Sequence, residues 1–263
     1  MKKLLAILLA AACAFSMAAC AAAPDSTDVS NTPNTPDSPA AEEHASEPST
    51  TQLAAPVEVS MPQYPREVNN DDWDAWWESY QEKTADMTDP AAMTHWFTTS
   101  IPALMQDAGK ENRVCSPLNI YMALSMLAAV TDGQTRQQIL DALGAESLAL
   151  LQKQTAQLWT ENSWDDGVVT SVLANSIWLR DGYAYNEETL KKLGEDFYAS
   201  AFSGEMGSAA YDNKLRDWIN EHTGNLLTEQ ASGLKLDPAT VLALVSTIYY
   251  RASWSDKFSS TAT

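Results

Sequence analysis

Histidine, cysteine and basic side chains are all scarce in this chain, and each scarcity removes a class of function. Of 263 residues only His44, His95 and His222 are histidines, and no two of them have the His-x-x-x-His spacing that puts zinc ligands on one helix face. The ten glycines build no Gly-x-Ser-x-Gly elbow, no phosphate-cradling loop and no dinucleotide fingerprint. Two acidic pairs, Asp165-Asp166 and Glu187-Glu188, stand out. Neighbouring residues on a helix do not face one another, so these pairs read as solvated turn or helix-start charges. His222 beside Thr223 reads as a polar residue at a helix end. No catalytic group, metal site or cofactor is read here, and the expectation is a protein that is not an enzyme.

Basic residues are outnumbered, with 16 Lys and Arg against 35 Asp and Glu and a net charge of −19. The imbalance is concentrated early: residues 24–92 hold fifteen acidic and two basic side chains, and residues 93–263 hold twenty and twelve. Phosphate contact needs clustered Lys and Arg, so nucleic acid is not expected as a partner. Electrostatic docking on anionic lipid is not expected either, which leaves any membrane attachment to acyl chains.

The three cysteines, Cys13, Cys20 and Cys115, form no disulfide framework. Two of them belong to a leader. Met1-Lys2-Lys3 is a basic start, Leu4 to Met17 is an apolar run too short to span a bilayer, and Met17-Ala18-Ala19-Cys20 sets small residues before a cysteine. That layout resembles the bacterial lipobox, which makes Cys20 the lipidation site. An ordinary signal peptide cut near Ala23 is the alternative. Cys115 reads as a small buried hydrophobe at the end of a short strand, Arg113 to Cys115.

The leader (1–20) is followed by a Ser/Thr/Pro/Asp-rich stretch (21–62), a short aromatic segment (63–92) and the remainder (93–263). The second of these buries too little apolar surface to offset ordering, so it is expected to be a disordered stalk whose Asn-Thr-Pro and Asp-Ser-Pro units give reach. In the third, Trp73, Trp76, Trp77 and Tyr80 fall at i, i+3, i+4 and i+7, one face of a helix from about Asn69 to Lys83. Those rings either dock the helix on the body or stack on the sugar rings of a wall polymer.

The stretch from Asn112 to Gly144 is the most telling. A Ser116-Pro117 start leads into a helix apolar on nearly every side, which belongs in the middle of a large domain. Gly133 is expected to stop it and Thr135 to cap the next helix, which runs to Leu143. A helix from Met93 is expected to break at Ile101-Pro102. Further helices are expected at Ser147–Asn162, Asn186–Tyr198 and Asp212–Glu221. Val168–Leu179 and Val241–Tyr250, apolar on both faces, read as central strands. The fold class is α+β around a large sheet. Two such strands need neighbours. Leaving one poorly covered exposes about six large side chains at roughly 1.5–3 kcal/mol each, of the order of a domain's whole stability. The expectation is therefore an incomplete domain.

The blocks Arg113-Val114-Cys115-Ser116-Pro117-Leu118-Asn119-Ile120, Ala123 to Leu127, Leu173-Ala174-Asn175-Ser176-Ile177, Trp218-Ile219 with Thr223, and Val241 to Tyr250 with Trp254 resemble the serpin family in order and spacing. The resemblance implies helices A–F with part of a large central β-sheet A, the N-terminal half of the domain, ending before the reactive-centre loop. It implies a surface-anchored inhibitor of serine or cysteine proteases, a suicide substrate whose cleaved loop inserts into sheet A. As written, without that loop, the chain would be inactive. The complete protein would be a monomer at the extracellular face of the membrane, or secreted. By the same resemblance Ser116, Asn119, Asn175 and Ser246 form the shutter under the sheet, and Trp254 marks the breach. Ser246 stands where the family commonly has Asn, and Arg216 departs from an Asn before the Trp. The alternative is a non-inhibitory surface lipoprotein that binds a wall glycan or host protein through this body and the Trp73–Tyr80 face.

Overall fold

The computed structural model describes residues 50–57, 70–84, 91–106, 112, 114–165, 169–252 and 254. The leader with Cys20, and the span to Ser49, lie outside them. Among the described residues no helix is long and apolar enough to cross a membrane.

β3 (Val169–Arg180) is the axis of a mixed sheet. Along one edge it pairs antiparallel with β5 (Leu242–Ala252), from Val169↔Ala252 to Leu179↔Leu242. Along the other edge, β2 (Trp164–Asp165) pairs with its start, and β4 (Ala199–Gly204) runs parallel to Asn175–Arg180. β1 (Thr51–Ala54) closes the outer edge of β4, antiparallel and with a bulge. The strand expected at Val168–Leu179 is thus present and buried on both faces. The one expected at Val241–Tyr250 is shifted by a residue or two, and it is mostly half-buried because, among the described residues, it pairs with β3 alone.

Side chains of β3 alternate between two cores, as a period of two dictates. Ala174 and Trp178, with Phe202 of β4, face α7 (Ala209–His222), packing on Tyr211, Leu215 and Trp218. Ile177 and Leu179, with Ala199 and Ala201, face Met126 of α3 (Pro117–Val130) and Leu190, Leu193 and Phe197 at α6 (Glu187–Asp196). A third core joins α2 (Ala91–Met105), α3, α4 (Gly133–Leu143) and α5 (Leu148–Asn162) around Trp96, Tyr121, Met122, Leu143 and Leu151. α1 (Asn70–Thr84) and a short α8 (Thr228–Ser232) complete the helices. Helices on both faces of a mixed sheet make this an α+β fold, as expected.

Several local expectations are corrected. Ser116 caps α3 and Pro117 starts it, but Gly133 does not stop it: α3 ends at Val130 with Thr131 as its C-cap, and Gly133 opens α4 at φ 56 behind an Asp132 cap, which leaves Thr135 inside that helix. The α3 carbonyls find a better partner in Arg136, whose guanidinium donates to Ala128 O and Thr131 O. Pro102 lies inside α2 without ending it. So close to the helix C-terminus it costs one main-chain bond, and few turns depend on it. Val114 and Cys115 form no strand among the described residues, and Val114 is 95% exposed. Cys115 is half-buried. Finally, Thr51–Ala54 lies within the span read as a spacer, yet it is a sheet strand. A four-residue edge strand with exposed side chains has no hydrophobic signature to read.

Candidate functional site

The polar residues under the sheet gather at the start of α3. Ser116 adopts an extended cap conformation, and its Oγ accepts the Asn119 N–H at 3.2 Å. The same hydroxyl donates to Asn119 Oδ1, fixing which way the amide points. Asn119 Nδ2 is thereby turned toward the sheet and donates to Ser246 Oγ of β5 at 3.2 Å. Three of the four expected residues thus form one chain of hydrogen bonds from a helix cap to a strand.

Asn175 joins them by position but not by bond. It pairs in register with Ser246, so the two share a sheet face. Its Nδ2 donates instead to Phe197 O, at the turn between α6 and β4, at 2.9 Å. Its Oδ1 is buried without a partner among the described residues, and the residue is 1% exposed. A buried amide oxygen left unbonded costs about 1–3 kcal/mol. Trp254 sits just past the end of β5 and is 79% exposed.

The other sheet face carries groups that, Arg216 apart, sequence reasoning passed over. The Tyr211 hydroxyl accepts the Leu179 N–H at 3.0 Å and lies 3.0 and 3.1 Å from the carbonyls of Leu179 and Phe202. It bridges β3 and β4 from α7, and burial pushes its phenol pKa up. Trp178 stacks on Phe202 with centroids 4.5 Å apart and meets the Tyr211 ring at 5.3 Å. Asp212, also buried, accepts the Leu236 N–H at 2.9 Å. Arg216 donates from Nε and Nη2 to Leu234 O at 2.9 and 2.7 Å, fastening α7 to the segment behind α8. Nothing in the amphipathic pattern of α7 separates Tyr211 from an ordinary core residue.

On α1 the four aromatic rings touch one another. Trp73 and Trp76 are 5.2 Å apart, Trp76 and Tyr80 5.4 Å, and Trp77 and Tyr80 5.7 Å. Trp73 is 36% and Trp77 45% exposed, so the face is only partly covered. Among the described residues no group of His, Cys, Asp and Glu could hold a metal ion.

The chain is similar to several known proteins. Mouse (Mus musculus) neuroserpin is 28% identical over 169 residues, covering 63% of this chain and 41% of that protein. The protein named "Serine protease inhibitor" from Cyanea capillata is 26% identical over 162 residues, 59% and 42% of the two chains. The native-state structure of the thermophilic serpin tengpin superposes with TM-score 0.52 and 23% identity, over 58% of this chain and 39% of that one. Ovalbumin from emu (Dromaius novaehollandiae) gives TM-score 0.57 at 19% identity, over 65% and 48%. These two show the shared fold alone. The chain spans about two-fifths of the length of the curated relatives it matches. The family description "Serpin (serine protease inhibitor)" matches residues 94–263. Well over half of the sequence is thus accounted for, in a fold with the expected sheet, and the chain belongs to the serpin family.

Proposed function

We propose that residues 94–263 supply the sheet and its shutter to an inhibitor of serine or cysteine proteases, one that takes a strand of its own into the sheet beside β5. The observation that carries this reading is the state of β5. It pairs in register with β3 along its length, and Asn119 at the start of α3 reaches it from below through Ser246.

In this reading a protease attacks a loop outside the matched residues. Its Ser or Cys nucleophile adds to a loop carbonyl and the amine half leaves, so the enzyme is held as an ester or thioester. The freed loop then pairs with β5 before water resolves the acyl bond, an order-from-loop transition of the kind known in switching proteins. Ser116, Asn119, Asn175 and Ser246 govern how readily β5 parts from its neighbours, and Trp254 stands at the point of entry. None of them is catalytic. A leader lipidated at Cys20 would hold the protein at the outer face of the membrane as a monomer.

The test uses the full-length product of a gene carrying this chain, mixed with trypsin-like and subtilisin-like proteases. An adduct that survives denaturing electrophoresis is expected. Cleavage of the loop with no adduct for any protease tried would sink the reading. The exposure of Trp73 and Trp77 favours a second one, a surface protein that stacks these rings on a wall glycan. Retention on a peptidoglycan column, lost on changing Trp76 and Trp77 to Ala, would support it.

A further inference from the structure

The sheet has a second edge, and this chain covers it itself. β1 pairs with the outer side of β4 through Thr51↔Ser203, Gln52↔Phe202 and Ala54↔Ala201. The chain then crosses α6, where the Val57 N–H donates to Gly194 O at 3.1 Å. At that crossing only glycine fits: a Cβ on Gly194 would overlap the carbonyl oxygen of Ala55. The hold is made by main chain. Thr51, Gln52 and Leu53 are exposed, and only Ala54 is half-buried, against the core under α6. A short, bulged edge strand with exposed side chains opens locally at low free energy. β4, by contrast, is buried along almost its whole length, and its other partner β3 is parallel.

We propose that the outer edge of β4, with its glycine floor at Gly194, is a strand-addition site, and that residues 51–57 of this chain are its removable occupant. By filling it they hold residues 51–57 on the side of the sheet remote from β5. The occupant is the chain's own segment because Thr51–Ala54 lies in register on this edge and the Val57 N–H donates to Gly194 O beside it. The inference stands apart from the protease reading, since it concerns the opposite edge.

Two variants of the full chain separate the outcomes. Gly194→Ala adds one methyl and also favours helix α6, so it blocks the crossing without weakening the helix. Thr51→Pro/Gln52→Pro leaves the site intact and removes its occupant, because one of two adjacent strand N–H groups must point at β4. Hydrogen exchange of the β4 amides should speed up by at least about tenfold in both, with the β3–β5 amides unchanged as the control for folding. A fluorescent peptide of residues 50–57 should bind the double proline variant, and neither the wild type, whose site is filled, nor Gly194→Ala, whose site is blocked. Unchanged β4 exchange in Gly194→Ala, or no peptide capture by the proline variant, would overturn the proposal. So would a wild-type dimer whose β4 protection is lost on dilution, which would give the edge to a second copy.

Discussion

Asn119 and Ser246 lie 127 residues apart and share a hydrogen bond of 3.2 Å that joins the first turn of α3 to the middle of β5. The Ser116 hydroxyl, which donates to Asn119 Oδ1, sets its direction. Ser246 offers a single hydroxyl, so the connection is thinner than a carboxamide would make it.

That thinness can be measured. Asn119→Ala and Ser246→Ala should each lower stability by about 1 kcal/mol, the usual net worth of a neutral bond at a partly buried site. The double variant should lose less than the sum of the two, giving a coupling of roughly 0.5–1 kcal/mol in urea titrations. Strict additivity would show that the contact carries no energy.

Tyr211 is expected to matter more. Tyr211→Phe keeps the ring packed on Trp178 but leaves the buried Leu179 N–H without its acceptor, at a cost of about 1–3 kcal/mol. The residue is also part of an alkaline limit. Burial raises the phenol pKa values of Tyr121, Tyr198 and Tyr211 above the ordinary 10.0. In the unfolded chain these groups ionise first, so folded stability is complete below about pH 10 and falls as pH rises beyond it. Chemical denaturation at pH 9 and pH 11 should show the drop, and a smaller one for Tyr211→Phe.

Gly204 lies under the same ring. A Cβ there would stand 2.6 Å from Cδ2 of Tyr211. Gly204→Ala should therefore cost about 1–3 kcal/mol, and combining it with Tyr211→Ala should recover part of that loss. A thermal melt of the single variant matching wild type would contradict this packing.

Asp196 provides a test at acidic pH. Burial, then the neighbouring Glu195, raise its carboxyl pKa, against the bond it accepts from Gln152 Nε2 at 2.6 Å. The folded chain therefore binds this proton more tightly than the unfolded one, and stability falls as pH rises from the ordinary carboxylate value through the raised one. Asp196→Asn keeps the acceptor and removes the charge. It should melt slightly higher than wild type at pH 7, by a fraction of a kcal/mol given the partial exposure, with the difference vanishing near pH 3.

Much of the architecture was legible because it rests on periodicity. The all-round apolar α3, its Ser116-Pro117 start and the buried β3 are local patterns, and each stands where its residues say. β4 was not legible: Ala-Ser-Ala-Phe-Ser-Gly is short and mixed, and it is a strand only because β3 and β1 lie beside it. β1, within the supposed spacer, escaped for the same reason. Ser116, Asn119 and Ser246 were named by family resemblance, and no spacing rule brings residue 119 to residue 246.

The amino-acid order set where the helix α3 and the strand β3 lie and which of their faces are greasy. Tertiary structure alone decided the partners: that Asn175 turns to Phe197 rather than to its neighbour Ser246, that Tyr211 bridges two parallel strands, and that residues 51–54 border the sheet. The division has a physical cause. Periodicity is written in near neighbours along the chain, whereas a hydrogen bond depends on a distance of about 3 Å between groups that only folding brings together.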